Sequence, residues 1–185
     1  KFIGVKAALP PLGLLTVAAL LPEDWGKKLV DMNVHQLKDE DLKWADYVLI
    51  SAMTIQQKSA NSVIKRCREL GVKIIAGGPL FTSEPEKYPE VDHLVLGEAE
   101  ITLNAFLNDL EKGKAGHIYT TSQKPSLENT PFPLWELINL HDYSTMSIQF
   151  SRGCPFDCEF CDITTLYGRK PRLKPTDRFI EELEV

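Results

Sequence analysis

The chain has 185 residues, 43% of them hydrophobic and 25% charged, with a net charge of -5. That is the composition of a globular chain with room for one large domain, or one ordinary domain and part of another; nothing in the overall acidic balance points to a nucleic-acid footprint, which usually shows as a clustered basic excess. No apolar run reaches the ~20 residues of a membrane span and no signal peptide is visible, so with sparse cysteines a reducing cytoplasm is the expected location.

In chain order, a short apolar start and the Pro10-Pro11 pair lead into Leu12 to Leu21, which is apolar nearly all round and predicts a helix buried against a sheet and stopped by Pro22. Lys28 to Asn33 reads as a strand, and Asp39 to Trp44 as a short polar helix or turn. Tyr47 to Ser51 is a compact apolar run of strand length, as in parallel sheets covered on both faces. Ile55 to Leu70 follows with apolar positions at Val63, Ile64 and Cys67, and Gly71 is the expected helix stop. Cys67 reads as a small core residue. Val72 to Ala76 is a second buried strand, closed by Gly77-Gly78-Pro79; beyond a loop around Pro85 and Pro89, Val91 to Leu96 is a third. Ala99 to Glu111 is a helix with Ile101, Leu103, Phe106, Leu107 and Leu110 on one face, and His117 to Thr121 allows a short strand. Strands alternating with helices predict βαβ units, hence the α/β class and a Rossmann-like doubly wound parallel sheet.

Ligands of open α/β sheets sit beyond the carboxyl ends of the strands. Three such ends carry small residues: Ser51-Ala52-Met53-Thr54, Gly77-Gly78-Pro79 and Gly97-Glu98-Ala99-Glu100. Glycine lets a bulky cofactor approach the backbone, and Ser51 and Thr54 can donate or accept hydrogen bonds. Glycines after strands also serve simply as turn residues, and that plainer reading stays open here.

A proline-rich connection runs to Leu134, and a new segment begins near Met146 with an apolar-alternating strand to Phe150. A helix capped by Thr176 follows later, with Phe179, Ile180 and Leu183 as its apolar residues. Between them Cys154, Cys158 and Cys161 are spaced C-x3-C-x2-C, with Gly153 and Pro155 to curl the backbone. A fully protein-held iron-sulfur cluster takes four thiolates, so three would leave one iron open. A structural zinc site wants four ligands and would need His141 or Cys67 as the fourth; three clustered cysteines and a remote one do not make a disulfide framework. Lys170, Arg172 and Lys174 form a local basic patch, a solvated face or a contact for an anionic partner.

Ser151-Arg152-Gly153 followed by Cys154, Cys158, Phe160 and Cys161 closely resembles the signature loop of radical S-adenosylmethionine enzymes. The resemblance implies a [4Fe-4S] cluster on the three cysteines, S-adenosylmethionine on the open iron with Phe160 on its adenine side, and a partial (β/α) barrel of which this segment is the first β/α unit. It also implies a 5′-deoxyadenosyl radical as the working oxidant and an electron donor such as flavodoxin or ferredoxin. The series Asp31, Ser51, Gly77-Gly78 and Gly97-Glu98-x-Glu100 ahead of that loop resembles the cobalamin-binding domain fused to many of these enzymes. That resemblance implies cobalamin held by Ser51, Thr54, Gly77, Gly78, Pro79, Gly97, Glu98 and Glu100. Where cobalt-ligating relatives carry D-x-H-x-x-G, this chain has Asp31-Met32-Asn33-Val34-His35-Gln36, and Leu80 stands where relatives often have a histidine. An amide is a poor substitute for imidazole on a transition metal, so cobalt without a protein ligand is expected, and His35 reads as a surface histidine.

The expected organisation is a cobalamin-binding domain over residues 1–121, a linker over 122–142 and the start of a radical S-adenosylmethionine domain over 143–185. Beginning at Lys1 without an initiator methionine and ending inside a predicted helix, the chain is expected to be an inactive fragment whose cysteine loop stands without its cluster. The Ala8-Leu9-Pro10-Pro11-Leu12-Gly13-Leu14 opening and Pro133-Leu134-Trp135 resemble most the hopanoid-methylase-like branch. The whole enzyme is expected to be a methyltransferase acting on an unactivated carbon of a small-molecule or lipid substrate, with no nucleic-acid partner. Two alternatives remain at this point: accessory cobalamin in a rearrangement or ring formation, and a non-catalytic module with a zinc knuckle.

Overall fold

A computed structural model describes residues 4–184; the apolar start at 1–3 and Val185, the expected end of the last helix, lie outside the described residues. Helix α1 is Leu12–Leu20, and Leu21 is already extended, as the steric demand of Pro22 on its predecessor requires. Only Leu15 and Ala18 of α1 are buried. The strand expected over Lys28 to Asn33 does not form. Asp31 instead holds a turn, its Oδ1 accepting from Asn33 N at 2.9 Å and Asn33 Nδ2 at 2.8 Å while Val34 N and His35 N donate to Asp31 O. Helix α2 (Asp39–Trp44) follows, with Lys38 N capped by the Asp41 carboxylate.

Strand β1 (Tyr47–Ser51) leads through a tight turn at Thr54–Gln56 into helix α3 (Gln57–Leu70). That helix ends on Gly71 in the left-handed region, φ 71°, with Gly71 N donating to Arg68 O. Strand β2 (Lys73–Gly77), helix α4 (Pro79–Ser83), strand β3 (His93–Val95), helix α5 (Ala99–Glu111) and strand β4 (Ile118–Tyr119) complete the sheet. The segment expected as a plain loop contains α4, whose Leu80 and Phe81 are fully buried, and the Phe81 ring packs edge-on at 4.6 Å from that of Tyr88.

The four strands pair in parallel in the order β1-β2-β3-β4, an α/β sheet of the Rossmann-like kind. They run in chain order, so the described strands include no reversal of order. Ile74, Ile75 and Ala76 on β2 are buried in succession, the pattern of an interior strand covered on both faces. Val63, Ile64 and Cys67 of α3 and Leu103 and Phe106 of α5 complete this core, and Phe106 also meets the Tyr119 ring at 5.4 Å. The register aligns Ser51 with Gly77 and Gly77 with Val95, which sets the carboxyl ends of the first three strands in one row.

The chain divides into two compact units drawn from interleaved segments. The sheet belongs to a unit of Lys38–Pro125 and Gly153–Lys170, which therefore also contains the cysteine loop and helix α6 (Ile163–Tyr167). The other unit combines Lys1–Leu37, Ser126–Arg152 and Pro171–Val185. Within it, the strand expected over Met146 to Phe150 is displaced: β5 is Ser151–Arg152, antiparallel to β6 (Arg172–Leu173), and Phe150 contributes only its carbonyl to Lys174 N. Helix α7 (Thr176–Glu184) packs Phe179 against Phe150 at 5.3 Å, while Ile180 and Leu183 are exposed and Glu182 is buried. Lys174, expected on a solvated basic face, is buried too and ion-paired with Glu182, because two opposite charges can leave water together where one alone could not.

Candidate functional site

The carboxyl edge of the sheet is built by main-chain geometry. Gly77 and Gly78 are dictated first by the fold: a Cβ on Gly77 would lie 2.6 Å from Val95 O, and one on Gly78 2.5 Å from Ser51 Oγ. Gly97, at φ 77°, is different, since the space where its Cβ would stand is open. Its N–H donates to Thr82 Oγ1 at 3.1 Å, which ties the turn after β3 to the end of α4. Ser51 and Thr54 are exposed at this edge, and beside them Met53 and Ile55 are exposed as well, Ile55 to 90%. Open space at Gly97, hydroxyls and unshielded apolar side chains make an edge that fits a large, partly apolar cofactor.

Glu98 and Glu100 open α5. The Glu98 carboxylate is 2% exposed and faces Lys124 Nζ at 3.9 Å, so it points into the protein. Glu100 is half-buried, and its carbonyl accepts from Asn104 Nδ2 at 3.1 Å. Pro79 occupies the first turn of α4, where its missing N–H costs nothing.

The cysteine loop lies in the same unit. Its base is pinned where Cys154 N donates to Gly168 O at 3.1 Å, and Gly153, at φ 87°, is required there because a Cβ would stand 2.6 Å from Lys170 O. Cys161 N donates to Cys158 O, and Arg169 pairs with Asp157 at 2.7 Å across the loop. Cys154 and Cys161 are half-buried and Cys158 is exposed. Phe160 is 92% exposed. In kind and number the three thiols fit an iron-sulfur cluster with one open iron, yet no three metal-ligating side chains converge among the described residues. Cys67 is enclosed in α3, where burial pushes its thiol pKa up, and His141 is exposed in the other unit; neither supplies a fourth ligand.

The Asp31 region belongs to the unit without the four-stranded sheet. Asp31 Oδ2 accepts from Tyr143 Oη at 3.0 Å, and Asn33 is engaged with Asp31 Oδ1. His35 is exposed and lies 3.4 Å from Asp142, which Lys6 also pairs at 3.0 Å. Burial and the hydrogen bond to Asp31 push the Tyr143 hydroxyl well above its usual range. Tyr143 and Lys124 are the site-related residues that sequence reading missed. Both lie in irregular segments, where no period or motif marks them.

The sequence profile of the B12 binding domain matches residues 3–107. Over 186 aligned residues the chain is 45% identical to an uncharacterized methyltransferase of Synechocystis sp., covering all of this chain and 35% of that protein. It is 38% identical to the hopanoid C-2 methylase of Rhodopseudomonas palustris over 97% of this chain and 35% of the relative. A stretch of 37 residues is 57% identical to the hopanoid C-3 methylase of Methylococcus capsulatus, 20% of this chain and 7% of that one. The chain thus spans about a third of the length of the first two of these relatives.

Proposed function

Because this chain belongs to the B12-binding domain family, we propose that it is the cobalamin- and cluster-holding part of a radical S-adenosylmethionine methyltransferase that alkylates an unactivated carbon of a small-molecule or lipid substrate. One observation carries the reading: a three-thiol loop that fits an open-iron cluster packs in the same unit as a B12-type sheet edge. The methyltransferase names of the relatives support the reaction class, and the hopanoid methylases among them support an apolar substrate.

Cys154, Cys158 and Cys161 would hold the cluster, and exposed Phe160 would line the nucleoside of S-adenosylmethionine. Ser51, Thr54, Gly77, Gly78, Pro79, Gly97 and Glu100 would form the cobalamin edge, with Glu98 at the same turn. When bound, these cofactors supply radical chemistry and a transferable methyl group. The chain's own work is to bind and orient. Ser51 and Thr54 offer hydroxyls to polar cofactor groups, Met53 and Ile55 shed water from apolar ones, and Gly153 lets the loop base close on Gly168. Asn33 takes the position that cobalt-ligating relatives give to histidine, which leaves the cobalt without a protein imidazole. Electrons would come from a flavodoxin- or ferredoxin-type donor in the cytoplasm.

The test is anaerobic reconstitution of the full-length protein with iron, sulfide and cobalamin, followed by absorption spectroscopy and metal analysis. Separate corrin and iron-sulfur bands are expected, and replacement of all three cysteines by alanine should abolish only the second. A cluster retained by that triple variant, or zinc bound without acid-labile sulfide, refutes the reading. Isotope-labelled methyl from S-adenosylmethionine should enter the product; its absence would favour rearrangement or ring formation with cobalamin as an accessory.

A further inference from the structure

Helix α6 follows the third cysteine and ends at Tyr167, and the carbonyls of a last helical turn take their donors from beyond the helix. One of them, Leu166 O, accepts from Lys124 Nζ at 2.6 Å. Lys124 comes from the connection after β4, and its stem passes close to Gly168: a Cβ on Gly168 would lie 3.9 Å from Lys124 Cε. Gly168 is also where the loop begins, since its carbonyl takes Cys154 N. Both ends of the cysteine segment therefore meet at one place, and Lys124 reaches it from the sheet.

The same ammonium faces the Glu98 carboxylate at 3.9 Å, inside the turn that closes the carboxyl edge at β3. A carboxylate this enclosed needs a cation or donors around it, and the carbonyls at the end of a helix need donors from outside it. We propose that Lys124 is a positioning residue that clamps the cysteine loop to the cofactor edge of the sheet, with Glu98 fixing its ammonium. The functional part of this inference rests on the loop being the cluster segment. The clamp itself rests on the contacts above.

The test measures amide hydrogen exchange of this chain by NMR, at Cys154, Leu166 and Gly168 in the loop segment and at Ile75 and Ala76 in β2. Lys124→Met keeps the stem and removes the charge. It should speed exchange in the loop segment about tenfold, the loss expected for one charge-assisted hydrogen bond, and leave β2 unchanged. Lys124→Arg should restore most of the protection, and Glu98→Gln should loosen the same amides by a smaller factor. Unchanged loop exchange in Lys124→Met, or equal acceleration of β2 and loop in both Lys124→Met and Glu98→Gln, overturns the proposal. In a second arm, the reconstituted full-length Lys124→Met protein should lose iron and acid-labile sulfide to a chelator several-fold faster than wild type, about in proportion to the loop opening. Equal loss rates would overturn the functional part. If the wild type takes up no cluster, the functional reading of the loop fails and with it that part, while the exchange result still decides the clamp.

Discussion

Gly78 offers the sharpest test of how the carboxyl edge of the sheet is built. Its φ of 84° with ψ of -175° lies where essentially only glycine is comfortable, so an alanine there costs about 1–3 kcal/mol in backbone strain. The new Cβ would also sit 2.5 Å from Ser51 Oγ, with Ser51 Cβ and Ala52 N both at 3.6 Å. Rotating the serine out of the way adds about 1 kcal/mol, so Gly78→Ala should lose about 2–4 kcal/mol in all. Gly71→Ala is the control: its left-handed φ of 71° meets nothing within 4 Å, and it should lose only about 1–2 kcal/mol. Urea unfolding monitored by circular dichroism reads both. Repeating Gly78→Ala in a Ser51→Ala background isolates the clash, which should recover about 1 kcal/mol as the coupling energy of a double-mutant cycle. A Gly78→Ala protein no less stable than Gly71→Ala, or a cycle with no coupling, would refute the view that strand packing rather than ligand access fixes this glycine.

Tyr143 should make stability fall with alkaline pH. Its folded-state pKa is raised, so the native state keeps a proton that the unfolded chain releases, and stability is lost as pH rises above about 10. Tyr143→Phe should remove that alkaline slope in urea titrations and cost about 1–3 kcal/mol at neutral pH, by depriving Asp31 of its buried donor; an unchanged slope would count against the Asp31 contact. Lys174→Met should cost about 3–5 kcal/mol because the enclosed Glu182 loses its cation, whereas Lys174→Met with Glu182→Leu should recover most of that loss; additive losses in thermal melts would mean the pair is not coupled. Alkylation of the cluster-free protein at pH 7.5, followed by mass spectrometry, should label Cys158 first and Cys67 only in denaturant, since Cys67 is enclosed and its thiol is held protonated by burial. Native labelling of Cys67 would contradict its place in the core.

The sheet was legible because its signals are local and redundant. Tyr47–Ser51 is apolar throughout, Gly71 stops a helix, and Ala99–Glu111 carries its apolar residues at helical spacing, so each element announces itself. The strand expected at Lys28 to Asn33 does not form for a specific reason: Asp31 has a side chain that competes for the backbone, and it wins over three apolar residues. Helix α4 was hidden because a five-residue helix has no period to read. In the last helix Ile180 and Leu183 are exposed while Glu182 is buried, and that burial goes with Lys174, a partner that helical periodicity cannot see. The cysteines were the clearest chemical signal, while Lys124, which reaches the end of the helix that follows them from a distant segment, has no sequence signature at all.

The glycines at the strand ends look alike in sequence but do different jobs in space. Gly77 and Gly78 stand against Val95 O and Ser51 Oγ, so they set how closely the strand ends approach; Gly97 stands beside open space, so it sets where something else can approach. The same contrast divides the cysteine loop. Gly153 has no room for a side chain and keeps the loop base closed on Gly168 and Lys170, whereas Phe156 and Phe160 on the span beyond it are exposed. Any movement that gathers the three thiols must therefore come from the span between Cys154 and Cys161, because shifting the base would break the Cys154 to Gly168 bond and release α6 from Lys124. With its base held by Gly168 and Lys170, the span that carries Cys158 is the part that would have to close around a metal centre.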